Sequence, residues 1–283
     1  MRKVLSVVAF TACLAMNPVY ADEAKTPAKT EVTKQQSGTV INLAGKQRML
    51  TQKMSKEAFF ISKGIDVEKN KENLKKTETL FDKTLKGLVD GDKDLNLPKT
   101  ENKEILAQLE KVKELWKSFK ENIEKVINGK ADEATLKAIA KDNIPLLKEM
   151  NKAVGMYAKA SGAKIDPKMA DTINRAGKQR MLTQKMTKEL LLVANGIDAD
   201  KNKESLKKTA ELFENTLKDL TANCKDENIK KQLGVVDKLW AEYKPVIEKV
   251  DTSDEALKKV EELNMKLLKE MNKAVKMYEA SIK

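Results

Sequence analysis

The chain has 283 residues, 35% of them charged and 4% aromatic, with six Pro and eleven Gly. That balance fits helices rich in Ala, Glu, Lys and Leu and excludes a β-sandwich or a large parallel sheet. Lys and Arg number 55 against 43 Asp and Glu, and there is no His. A His-ligated haem, a His-based zinc site and a Ser-His-Asp triad are therefore excluded.

The N-terminus reads as an export signal. Arg2 and Lys3 precede a short apolar run, Val4 to Met16, and Val19-Tyr20-Ala21 is a small-x-small cleavage site. Residues 1–21 are predicted to be a cleavable signal peptide, too short for a comfortable membrane span. That places the mature chain in the periplasm. The alternative is a lipoprotein anchored through Cys13, with Phe10 where Leu is usual. Removing Arg2 and Lys3 leaves 53 basic and 43 acidic residues, a net charge of +10. For an exported protein this charge favours anionic lipid, acidic proteins or small anions as partners, and no nucleic acid. No later segment approaches 18 consecutive apolar residues. Residues 22–36, rich in Lys, Thr and Glu, are predicted to be a flexible lead-in.

The rest of the chain is a tandem repeat. Residues 41–57, Ile-Asn-Leu-Ala-Gly-Lys-Gln-Arg-Met-Leu-Thr-Gln-Lys-Met-Ser-Lys-Glu, recur at 173–189 with fifteen of seventeen positions identical. Gly64-Ile65-Asp66 recurs as Gly196-Ile197-Asp198, Trp116 as Trp240, and Leu146 to Val154 as Leu267 to Val275. Copy one is assigned to 37–162 and copy two to 163–283.

Each copy reads as four amphipathic helices. In copy one they are predicted at 38–63, 67–89, 100–128 and 131–161. In copy two the first helix starts at Pro167 behind an Asp166 cap and ends at Asn195 before a glycine cap at Gly196. Asp198 caps the second helix, which runs to Thr221; the third spans 226–249 and the fourth 253–282. Pro145 and Pro245 are expected to kink or restart their helices. Short loops between long helices imply an all-α fold of two tandem antiparallel four-helix bundles. The two bundles either pack through their first helices about a pseudo-twofold axis or sit as independent beads whose motifs pair between chains. Leu43, Leu50, Met54, Ala58 and Ile61 form one core stripe at spacings of 3, 4 and 7. Leu80, Phe81, Leu85, Leu109, Leu115, Trp116 and Phe119 face it, with the Met residues as core filling.

Chemistry-bearing residues are few. Cys224 alone survives signal cleavage and has no His to activate it. Asp90, Asp92, Asp94 and Glu101 have the spacing of a calcium loop, but Leu95 stands where Gly is needed and copy two lacks the loop; a solvated acidic turn is the better reading. No metal, no cofactor and no acid–base pair is called for, so the chain is not read as an enzyme.

The arginines are the exception. Beyond Arg2 there are three, Arg48, Arg175 and Arg180, all inside the repeated motif. Arg offers a planar fork of donors suited to oxyanions. Arg48 and Arg180 are equivalent, whereas Arg175 replaces Leu43. Ala44, Gly45, Thr51, Gln52 and Ser55 share the Arg48 side of the helix, and Ala176, Gly177, Thr183, Gln184 and Thr187 share the Arg180 side. Mid-helix Gly costs about 1 kcal/mol relative to Ala, so Gly45 and Gly177 point to a close approach by a helix or a ligand. If the two first helices pack together, Arg48 and Arg180 converge. At an effective dielectric of about 20, cations roughly 7 Å apart repel by about 2.4 kcal/mol, and an anion about 4 Å from each attracts each by about 4 kcal/mol. Pairing with acidic residues or exposure to water is the competing expectation.

The motif Ile-Asn-x-Ala-Gly-x-Gln-Arg-Met-Leu-Thr-Gln-Lys-Met resembles the opening helix of the PilJ/NarX-like sensor domain, found in nitrate/nitrite sensor kinases and type IV pilus chemoreceptors. In nitrate-sensing members an Arg from each of two paired helices holds the anion, helped by the Gly three residues earlier. The resemblance implies ligand-binding roles for Arg48, Arg180, Gly45 and Gly177, with nitrate or nitrite as the ligand. It also implies a membrane-anchored receptor or sensor kinase as partner, and either a monomer with an internal pseudo-dimer or a homodimer. The alternative is a non-catalytic helical interaction protein that docks a membrane receptor or pilus component without a small ligand.

Overall fold

The computed structural model describes residues 31–282. The expected signal peptide, the alternative lipid anchor at Cys13 and most of the expected lead-in lie outside the described residues. Eight helices follow in chain order: α1 (Lys34–Ser62), α2 (Val67–Asp90), α3 (Lys103–Ile127), α4 (Glu133–Ser161), α5 (Pro167–Ala194), α6 (Ala199–Ala222), α7 (Glu227–Glu248) and α8 (Asp254–Ala280). In the first bundle α1 packs on α2 and α4, with α3 closing the ring; in the second α5 packs on α6 and α8, with α7 closing it. The most extensive helix–helix contact in the molecule joins the two bundles through α1 and α5.

Local chemistry sets the boundaries. Thr33 and Gln36 form a reciprocal capping box, so α1 starts at Lys34 and takes up the last residues of the expected lead-in. Asn102 caps α3 through the Glu104 and Ile105 amides, three residues later than the expected start. Asp132, Asp166, Asp226 and Ser253 cap α4, α5, α7 and α8. At the end of α5 the Gly196 amide bonds the Val193 carbonyl and the Ile197 amide bonds Leu192, with Gly196 at φ 68°. This double closure needs the left-handed backbone that Gly adopts without strain. Asp198 precedes α6 but makes no side-chain capping bond.

Pro145 and Pro245 do not end their helices; α4 and α7 run through them. Both lie beyond the first turn, where proline deletes one intrahelical bond. Pro145 itself is exposed, so water can reach its side of the helix.

The acidic turn after α2 disperses its carboxylates. Asp90 pairs with Lys86 and Asp94 with Lys83, while Asp92 accepts the Leu95 amide and its backbone bridges to Leu97.

Leu50, Met54 and Ala58 of the expected stripe are fully buried with Phe81, Leu85, Leu109, Trp116 and Phe119; Leu43, Ile61, Leu80 and Leu115 are partly buried against them. The Phe81 and Trp116 rings lie 4.3 Å apart, and Phe213 and Trp240 repeat the pair at 4.6 Å. Met49, Met54, Met150, Met181, Met186 and Met271 fill the interior. The difference from the expected core lies in α1 and α5. Each is buried around almost its whole circumference, including Gln47, Thr51, Gln52, Ser55, Lys56 and Glu57 of α1 and their counterparts in α5. They are the central helices of both bundles. Gln47 Nε2 donates to the Phe81 carbonyl and Gln179 Nε2 to that of Phe213, while Gln47 Oε1, Gln52 Oε1 and Glu57 Oε2 and their α5 counterparts are buried without a donor.

Candidate functional site

Where α1 meets α5, Arg48 and Arg180 come together. Each is 1% exposed. Arg48 donates from Nη1 to Asn151 Oδ1 of its own bundle at 2.7 Å and from Nη2 to the Asn174 carbonyl of α5 at 3.0 Å. Arg180 reciprocates, from Nη1 to Asn272 Oδ1 at 2.9 Å and from Nη2 to the Asn42 carbonyl of α1 at 3.0 Å. Among the described residues neither guanidinium hydrogen-bonds a carboxylate, and the Nε of each is buried without an acceptor.

The glycines lie at the point of convergence. A Cβ at Gly45 would sit 3.3 Å from Arg48 Nη2 and 3.7 Å from Arg180 Nη2; one at Gly177 would sit 3.3 Å from Arg180 Nη2 and 3.5 Å from Arg48 Nη2. The last two distances bound the separation of the two Nη2 atoms at 6.8 Å, their sum. Two buried cations are thus held within the repulsive distance considered from sequence.

The electrostatics match. Burial, and then the neighbouring Arg180, pull Arg48 down to about 9; burial pulls Arg180 down to about 10, with Glu279 acting in the opposite sense. Glu279 accepts from Asn42 Nδ2. Lys46 and Lys178, half-buried on the two helices, are also depressed, first by burial and then by the opposite helix's arginine, Arg180 for Lys46 and Arg48 for Lys178. Asn42 Oδ1 and Asn174 Oδ1 are buried without a donor. The seam is electropositive: two buried guanidiniums with half-buried Lys46 and Lys178 beside them, each guanidinium keeping one unpartnered Nε–H.

The structure brings together all four residues singled out in the sequence: Arg48, Arg180, Gly45 and Gly177. Arg175 goes elsewhere, to an ion pair with Asp219 of α6. The asparagines that aim the guanidiniums were not singled out; Asn151 is exposed and Asn272 half-buried, and the recurrence of both in the repeated Leu-Leu-Lys-Glu-Met-Asn segment was the available signal. Lys46 and Lys178 were also missed. Cys224 is half-buried, with Sγ 3.4 Å from the Asp226 carbonyl.

A duplicated helical bundle whose opening helices appose two arginines over two glycines is a ligand-binding type of domain rather than a catalytic one. The chain matches the family described as PilJ, Type IV pili methyl-accepting chemotaxis transducer N-term, over residues 33–141 and again over 166–265, and it belongs to that family. It is not an enzyme. A curated relative, the methyl-accepting chemotaxis protein McpN of Pseudomonas aeruginosa, is 30% identical over 122 residues, covering 43% of this chain and 22% of that protein. The chain therefore spans less than a quarter of that relative's length. A solved structure, the ligand-binding domain of the P. aeruginosa nitrate receptor McpN, is similar at 31% identity, covering 43% of this chain and 96% of that domain, with a TM-score of 0.39.

Proposed function

We propose that this chain is a periplasmic sensory module that binds one small planar anion, nitrate or nitrite, between Arg48 and Arg180. The observation that carries the reading is the pair of buried guanidiniums, no more than 6.8 Å apart at Nη2 and without a hydrogen-bonded carboxylate. At an effective dielectric of about 20 their repulsion is at least about 2.4 kcal/mol, and an anion near 4 Å from each returns about 4 kcal/mol per cation before desolvation. An anion therefore relieves a strain that the protein's own residues leave in place. The nitrate receptor named among the relatives supports the choice of ligand. The module would pass its state to a membrane-anchored receptor or sensor kinase; among the described residues no helix is long and apolar enough to cross a membrane.

Isothermal titration with nitrate and nitrite at fixed ionic strength, with chloride and sulfate as controls, tests this. Saturable binding of one anion per chain, lost in Arg48→Ala/Arg180→Ala, is the expected result. One anion per two chains moves the site to an interface between copies. No binding of either planar anion leaves the helical interaction protein as the function.

A further inference from the structure

The two bundles differ at one buried lysine pair, and the difference is chemical. Lys56 of α1 is fully buried and pairs with both oxygens of Glu261 of α8 at 2.7 Å. It also lies 5.9 Å from the centre of the Phe60 ring. The equivalent lysine of α5, Lys188, is 2% exposed and makes one hydrogen bond, to Asn143 Oδ1 at 3.1 Å. In the repeat register Ala140 replaces Glu261, Lys141 replaces Glu262, and Leu192 replaces Phe60. The carboxylate and the aromatic ring are both exchanged for smaller groups, and the neighbouring charge is reversed.

What these replacements leave is a cleft. It measures about 790 Å³ and lies between α4, α5 and the turn into α6. Ala140, Lys188 and Leu192 all line it. That volume is in the range of small-molecule sites. Its charged lining is Lys137, Lys141, Lys185, Lys188 and Lys201 against Glu189 and Asp198. Glu189 does not substitute for the missing partner. It does not hydrogen-bond Lys188: its Oε1 accepts from Lys185 and Ser205, its Oε2 is buried without a donor, and its charge only partly offsets the burial of Lys188; its counterpart Glu57 is likewise engaged by Lys53 although Lys56 has Glu261.

We infer that this cleft is a second ligand site, for a small carboxylate whose two oxygens take the place of the Glu261 carboxylate on Lys188, with Lys141 and Lys201 at its mouth. Burial lowers Lys188 to about 8, with Glu189 raising and Lys185 lowering it, so the ammonium has little internal compensation. A carboxylate bound there restores the proton, and binding above pH 8 takes up protons. The site shares no residue with the arginine pair and does not depend on what that pair binds.

Malonate is a suitable probe, titrated calorimetrically into the full chain at pH 7 and pH 8.5, with chloride fixing the ionic strength. The expected result is saturable binding of one malonate per chain, with proton uptake at pH 8.5. Ala140→Glu restores the internal carboxylate of the other bundle and should weaken binding at least tenfold. Lys188→Met should do the same and keeps the test open if Ala140→Glu does not fold. Nitrate titration of both variants should match the parent protein. Absence of saturable malonate binding, or binding unchanged in Lys188→Met, overturns the inference.

Discussion

The sharpest perturbation is Gly45→Ala, because stability and binding should move in opposite directions. In the middle of a helix Ala is favoured over Gly by about 1 kcal/mol. The new methyl would lie 3.3 Å from Arg48 Nη2 and 3.7 Å from Arg180 Nη2. The first distance is tight but not prohibitive, and the neighbour is the end of a long side chain. Arg48 nevertheless has limited freedom to retreat, because Asn151 and the Asn174 carbonyl hold it. The steric cost therefore offsets part of the helix gain, and the ligand-free variant should be within about 1 kcal/mol of the parent. The methyl occupies the space flanked by both guanidiniums, where an anion has to sit to reach them. Displacing the anion by even 1 Å, or losing one charge-assisted bond of about 1.5–3 kcal/mol, weakens binding by roughly ten- to a hundredfold. Chemical denaturation without nitrate and calorimetric titration with it are the two assays. A variant that keeps its nitrate affinity refutes the placement of the anion between the glycines, whatever happens to stability.

Four further outcomes follow from the same structure. Asn151→Leu removes the side chain that aims Arg48 and should weaken nitrate binding about tenfold, with the Asn272→Leu equivalent alike in calorimetry. Lys56→Met leaves the mostly buried Glu261 without its partner and should cost about 3–5 kcal/mol in urea unfolding, whereas Lys188→Met strands no hydrogen-bonded carboxylate and should cost far less. Stability should rise as pH climbs from about 8 towards the ordinary lysine range. Lys188 loses its proton near 8 in the folded protein and later in the unfolded chain, so the unfolded state binds more protons in that window, and Lys188→Met should flatten the rise. Thr33→Ala removes the capping box of α1 and should cost about 1 kcal/mol, read as a shift in the denaturation midpoint.

Much of this was legible before any coordinates. The repeat and the caps place eight helices, because capping side chains and glycine turns act over three or four residues and leave a local trace. The rarity of Arg picked out Arg48 and Arg180, since Lys serves solubility equally well and a retained Arg needs another reason. The near-total burial of α1 and α5 was not legible. Ala44, Gly45, Thr51, Gln52 and Ser55 read as one small, neutral strip open to a close approach, but the burial of Gln47, Lys56 and Glu57 beside it is shown only by the neighbouring helices. The same limit hid Asn143, which donates to the Thr51 carbonyl and Ser55 Oγ across ninety residues of chain, and the Lys56–Glu261 pair between the two bundles. Those contacts depend on the relative register of α1 with α4 and α8, which no periodicity encodes. The three replacements around Lys188 were visible as mismatches between the copies, but their meaning depends on knowing what they face.

The apposition of α1 and α5 within one chain has a consequence for how such a site responds to dilution. When two separate subunits each supply half of a binding site, ligand occupancy is coupled to subunit association, and the response weakens as the protein becomes scarce. In the site proposed here the second half is always present at the effective concentration set by the covalent connection, of millimolar order for a short flexible link. Arg48 and Arg180 meet whether there is one molecule in the compartment or thousands. Occupancy should then follow the ligand concentration alone, with the same midpoint at any protein level.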